Sequence, residues 1–145
     1  MRVQGRQAEA AEAAEARDTA ALLMAVTERT RRSFEDVAAR FDLTPAQARA
    51  VLALADAAPM RSLAEHLRCD ASNITGLADR LEARGLVARA EQHGDRRVKL
   101  LELTGTGREL RTALEAAMLQ ASPVMTSLDD DERKVLRGLL HKAST

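Results

Sequence analysis

One stretch of the 145-residue chain breaks an otherwise helical pattern. Leu86 to Glu91 and Arg97 to Leu103 read as two strands, joined by the polar, glycine-containing turn Gln92-His93-Gly94-Asp95-Arg96. A single hairpin between helices leaves few architectures open, so the helices around it decide the fold.

On both sides of the hairpin, apolar residues recur at helical spacing. Leu23, Val26, Phe34, Val37 and Phe41 mark a long first helix ending near Arg40, with the alanine-glutamate stretch Ala8 to Ala16 as its extension. Thr44-Pro45-Ala46-Gln47 has the chemistry of a helix start: a capping hydroxyl, a proline at the first helical position and a glutamine that closes a capping box. The second helix carries Ala48, Val51, Leu52 and Ala55 on one face and stops at Ala57-Ala58-Pro59; Pro59 opens a short third helix through Leu67. Asp70 caps a fourth, which buries Ile74, Leu77, Ala78 and Leu81 and ends at Gly85, where glycine accepts a left-handed cap.

After the hairpin, Thr104 caps a fifth helix, with Leu110, Leu114, Ala117 or Met118, Ala121 and Met125 at heptad-like spacing. A capping box from Asp129 to Glu132 opens a sixth, which buries Val135, Leu136, Leu139 and Leu140. The expected fold is mainly α with a small β-wing: six helices and a two-stranded hairpin. A short helix, a tight turn, a second helix and a hairpin in that order form a winged helix-turn-helix. It occupies 44–104 of a single 1–145 unit, with 8–42 and 105–145 as the helical remainder.

Composition removes several function classes. The chain is 46% hydrophobic and 30% charged, which argues against disorder. Its longest apolar run, Ala20 to Val26, is far too short to span a bilayer, and no signal-peptide run opens the chain, so a cytoplasmic location is expected. One cysteine, Cys69, excludes an internal disulfide. His66, His93 and His141 are scattered, so neither a metal site nor another cofactor is expected. No glycine-rich phosphate loop or nucleophile-base arrangement points to an enzyme. Net charge is zero, and the span Met60 to Lys99 holds eight basic against six acidic residues, so charge alone does not point to nucleic acid.

The fourth helix does. With Ile74, Leu77, Ala78 and Leu81 facing inward, Ser72, Gly76, Asp79 and Ala83 face outward, flanked by Asn73, Thr75 and Arg80. Short polar side chains near a helix N-terminus suit the major groove, and Arg80 suits a phosphate. Gly76 costs the helix about 1 kcal/mol relative to alanine, which a close approach of DNA to the backbone would justify. Taken singly, each also suits a solvated helix face, and a free Asp79 would repel phosphate. On the hairpin, adjacent Arg96 and Arg97 can place a guanidinium in the minor groove, with Asp95 holding it in one pose and His93 at the tip. A solvated hairpin tip would carry the same charges.

The segment Asp70 to Val87 resembles the recognition helix of MarR-family regulators, and Asp95, Arg97, Leu103 and Thr104 match that family's Asp-x-Arg wing and closing Leu-Thr. Helix order and length are similar over nearly the whole chain. The resemblance implies a homodimer, intertwined through its first, fifth and sixth helices, whose two lobes read a pseudo-palindromic operator in double-stranded DNA. It implies Arg97 as the minor-groove residue, and a small ligand or an oxidant that releases the DNA. The expected function is a transcriptional repressor; a winged-helix protein-interaction scaffold without DNA binding is the alternative.

The effector is less defined. A pocket between the helical base and the winged lobe has Phe34, Phe41 and Met60 as candidate lining, although the three also suit a core. Redox-sensing relatives place a cysteine on the first helix and urate-type relatives a tryptophan; this chain has neither there. Cys69, beside Arg68, is a candidate redox residue that would need an intermolecular bridge or a small-thiol cap.

Overall fold

A computed structural model describes residues 2–92 and 95–144, and the side chains of these except at positions 2–6, 8, 71, 92 and 95–98. Among the described residues seven helices and three strands follow in the order α1 (Arg2–Arg40), α2 (Pro45–Ala53), β1 (Ala58–Pro59), α3 (Met60–Leu67), α4 (Ala71–Ala83), β2 (Val87–Gln92), β3 (Asp95–Leu103), α5 (Gly105–Ala121), α6 (Pro123–Ser127) and α7 (Asp130–Ala143). The fold is mainly helical with a small antiparallel sheet, as expected.

Two prolines account for the element beyond the expected six helices and the strand beyond the expected two. Pro59 does not open α3; it lies in β1, where Ala58 pairs with Leu101 and Pro59 with Leu100. The sheet order β1-β3-β2 makes β1 an edge, the position where a residue without an N–H is tolerated. Pro123 divides the last helical stretch. It has no N–H to give and disfavours helix at the residue before it, so α5 ends at Ala121 and Met125 lies on α6.

The chain forms two compact units, one from the segments up to Ser33 and from Ser122 onward, the other from Phe34–Ala121. The second holds the core. Leu54, Leu81, Leu101 and Leu114 with Val37, Val51 and Val87 are fully enclosed, so the core is aliphatic, as a chain with two phenylalanines and no other aromatic requires. Helix α4 buries the expected Ile74, Leu77, Ala78 and Leu81. Helix α2 buries Ala48, Ala50 and Val51 but ends before Ala55, which is exposed while Leu54 takes the core position. In the other unit α7 buries none of its residues. Val135 is 64% and Leu139 60% exposed, contrary to the expected burial, because helical spacing marks an apolar face without saying what covers it.

Both expected capping boxes form. Thr44 Oγ1 accepts from the Gln47 N–H at 3.2 Å and Gln47 Oε1 from the Thr44 N–H at 2.9 Å; Asp129 and Glu132 close the same box on α7. Three helices end with a left-handed residue, Asp42 (φ 54°), Arg68 (φ 52°) and Gly85 (φ 67°). In each case the next N–H reaches back five residues, Leu43 to Ala38, Cys69 to Ala64 and Leu86 to Leu81, all at 3.0 Å. Among the described residues no helix is long and apolar enough to cross a membrane.

Candidate nucleic-acid interface

Helix α4 is tied down at its C-terminal end. Asp70 stands at its N-cap with extended backbone, though its side chain caps no N–H. At the other end Arg84 donates to the carbonyls of Asp42, at 2.5 Å, and Phe41, at 3.4 Å, partnering carbonyls left open where α1 finishes. Thr104 ties the foot of the wing to the same place: its hydroxyl donates to the Gly85 carbonyl at 2.6 Å and accepts from the Gly107 N–H at 3.0 Å. A Cβ on Gly107 would lie 1.9 Å from the Leu86 carbonyl oxygen, so only glycine lets α5 start so close to the end of α4.

With the inward face sealed in the core, Ser72, Asn73, Thr75 and Arg80 are exposed and Gly76 is half-buried. Among the described residues none hydrogen-bonds the side chains of Ser72, Asn73 or Arg80, which leaves them open to an external partner. A Cβ built on Gly76 meets nothing within 4 Å. Internal packing therefore gives no reason for glycine in the middle of this helix.

The β2–β3 hairpin belongs to the same compact unit as α4. Its register runs from Val87 opposite Leu103 to Glu91 opposite Lys99, then shifts so that Gln92 pairs with Asp95. The shift leaves Arg96, Arg97 and Val98 without partners on β2, an irregularity in the ladder. The irregularity thus falls on the arginines expected to form the wing. His93 lies outside the described residues, as do the side chains of Asp95, Arg96 and Arg97.

Sequence reasoning missed Arg89 on β2. Its guanidinium donates to Asp79 through Nη2 and to Glu82 at 2.5 Å through Nη1. The hydrogen bond with Asp79, aided by the Glu82 charge, holds the Arg89 pKa above its ordinary value. Asp79 is therefore not the free carboxylate that its outward position would make it. Alternating charge on the hairpin was the only available signal, and it does not say which acid a strand arginine meets.

The residues considered for an effector do not converge. Phe34, Phe41 and Met60 are each half-buried against the core. Met60 and Cys69 line a cleft of about 680 Å³ between α3 and the start of α4, with neither phenylalanine in its wall. His66 is exposed on α3, beside Leu67 and Arg49 in a separate hollow.

Comparison with known proteins bears on this arrangement. Residues 43–99, from the start of α2 into β3, match the model of the MarR family. The HTH-type transcriptional repressor NicR of Pseudomonas putida is 36% identical over 113 residues, spanning 75% of this chain and 71% of the relative. The chain belongs to the MarR family. Among solved structures, wild-type MarR of E. coli in its apo form is similar at a TM-score of 0.71 with 25% identity, covering 86% of this chain and 95% of that one. A MarR-family regulator from Rhodococcus sp. RHA1 is similar at 0.70 with 28% identity, covering 88% and 93%. The matched MarR region contains α4 and the greater part of the wing, and family and relative alike name a transcriptional regulator rather than an enzyme.

Proposed function

We propose that this MarR-family regulator is a cytoplasmic, sequence-specific repressor that binds a pseudo-palindromic DNA operator as a homodimer. Residues 44–104 form the reading lobe, and 8–42 with 105–145 the dimerisation region. The observation that carries the reading is the outward face of α4: Ser72, Asn73, Thr75 and Arg80 stand exposed around a glycine that internal packing does not require. Ser72, Asn73, Thr75 and Gly76 read bases, Arg80 grips phosphate, and the wing residues His93, Asp95, Arg96 and Arg97 reach the adjacent groove. The repressor name of the Pseudomonas putida relative supports the sign of regulation. Either a small ligand acting through Phe34, Phe41 and Met60, or an oxidant acting at Cys69, releases the DNA.

The test is a titration of fluorescent DNA from the chain's own upstream region against an unrelated duplex, at two salt concentrations. Tight binding to the native fragment, weakened by salt, is the expected result, because phosphate contacts release counterions. Arg97→Ala should weaken operator binding by about 1–3 kcal/mol and leave the oligomeric state unchanged. Unaltered affinity would remove Arg97 from the interface. Failure to bind either duplex at low salt would favour the protein-scaffold alternative, which the zero net charge also suits.

A further inference from the structure

We propose that Arg89 is a positioning residue that latches the recognition helix to the wing, so that α4 and the hairpin meet DNA in one fixed register. The inference rests on the DNA-binding reading and deepens it. Asp79 and Glu82 lie one turn apart on α4, and Arg89 comes from β2, opposite Leu101 of β3. Its two terminal nitrogens engage one carboxylate each. A helix can roll about its own axis while keeping a greasy inner face, and a roll would sweep Ser72 and Gly76, which share Asp79's stripe, across the groove. Two attachments one turn apart, held by a planar guanidinium, oppose that roll where a single point charge would not.

The side chains of Asp79, Glu82 and Arg89 are 59%, 41% and 30% exposed. Pairs this open to water add little stability, so the arrangement serves geometry more than folding. Arg89 also covers two carboxylates that would otherwise stand unneutralised beside phosphate. Two of the five N–H donors of Arg89, one on each terminal nitrogen, are committed to α4.

The experiment compares wild type, Arg89→Gln, Arg89→Lys, the double variant Asp79→Asn with Glu82→Gln, and that double variant combined with Arg89→Gln. Each is titrated with operator and with an unrelated duplex at several salt concentrations. Arg89→Gln should lower the operator-over-control ratio about tenfold, the scale of one mismatched base pair, with the salt slope unchanged. Arg89→Lys, which keeps the charge but not the fork, should recover only part of the ratio. In the doubly neutral background Arg89→Gln should do no further harm. Equal weakening on both duplexes with the slope reduced by about one would make Arg89 a phosphate contact and overturn the latch. So would additive effects across the set. Amide hydrogen exchange of α4 and β2 reads the latch without DNA: Arg89→Gln should accelerate it, and unchanged exchange would overturn the proposal. A wild type that fails to select the operator, with exchange still accelerated in the variant, would refute the DNA-binding reading and leave the latch standing.

Discussion

Arg68 carries a side chain through left-handed backbone, at φ 52°, to close α3. That conformation costs an ordinary residue about 1–2 kcal/mol, partly offset at glycine by the freedom it has in the unfolded chain. Arg68→Gly should therefore stabilise the protein by roughly 0.5–1 kcal/mol, read as a higher denaturant midpoint at unchanged slope. Gly76 poses the opposite problem. Gly76→Ala should add about 1 kcal/mol of helix stability, since nothing lies within 4 Å of the new methyl group, while weakening operator binding. A variant that is more stable and binds as well as wild type would remove Gly76 from the interface. Both effects come from one side chain, yet only the glycine advertises itself in the sequence.

Within the elements, local chemistry sets both helix ends and charge. On α1, Glu28 accepts from Arg31 at 2.8 and 3.0 Å and from Arg32 at 3.0 Å. The Arg31 hydrogen bond, with the two nearby charges, holds the Glu28 carboxyl below its ordinary pKa. A lowered value in the folded state means the unfolded chain takes up the proton at higher pH. The pair's contribution is then present at neutral pH and lost as pH falls through the folded value. Arg31→Ala removes the largest cause, so the Glu28 titration midpoint, followed by carboxyl NMR, should rise toward the usual range. No movement would show that Arg32 alone suffices. The strands of the hairpin were legible in the sequence, but the register shift at Arg96 to Val98 depends on which residues pair across the turn.

At the scale of the molecule, the unit built from the terminal segments leaves an apolar surface open. Leu22, Leu23 and Val26 of α1 face Val124, Leu128 and Leu136 around a groove of about 630 Å³. Val135 and Leu139 add to this exposed apolar surface. An exposed apolar patch of this kind marks an interaction surface. The homodimer proposed for this regulator would cover it. Sedimentation should show a dimer at micromolar concentration, and Leu139→Asp should give a folded monomer. Because two lobes on one palindrome gain from effective concentration, the monomer should lose operator affinity by about a hundredfold or more. A Leu139→Asp protein that remains dimeric would place the interface elsewhere.

The sequence alone determined the order of helices and hairpin, the capping boxes at Thr44 and Asp129, the glycine end of α4 and the inward face of Ile74, Leu77, Ala78 and Leu81. It also singled out the outward residues of that helix. All of these follow from periodicity and hydrogen bonds within a turn or two of chain, which a linear pattern records. Only the tertiary structure decided that Pro59 joins a strand whose partner lies about forty residues on, that Asp42 and Arg68 accept left-handed backbone, and that α7 keeps its apolar face uncovered within one chain. It alone brought Arg89 to Asp79 and Glu82. Each of these depends on where the chain returns in space, and composition and spacing carry no record of that return.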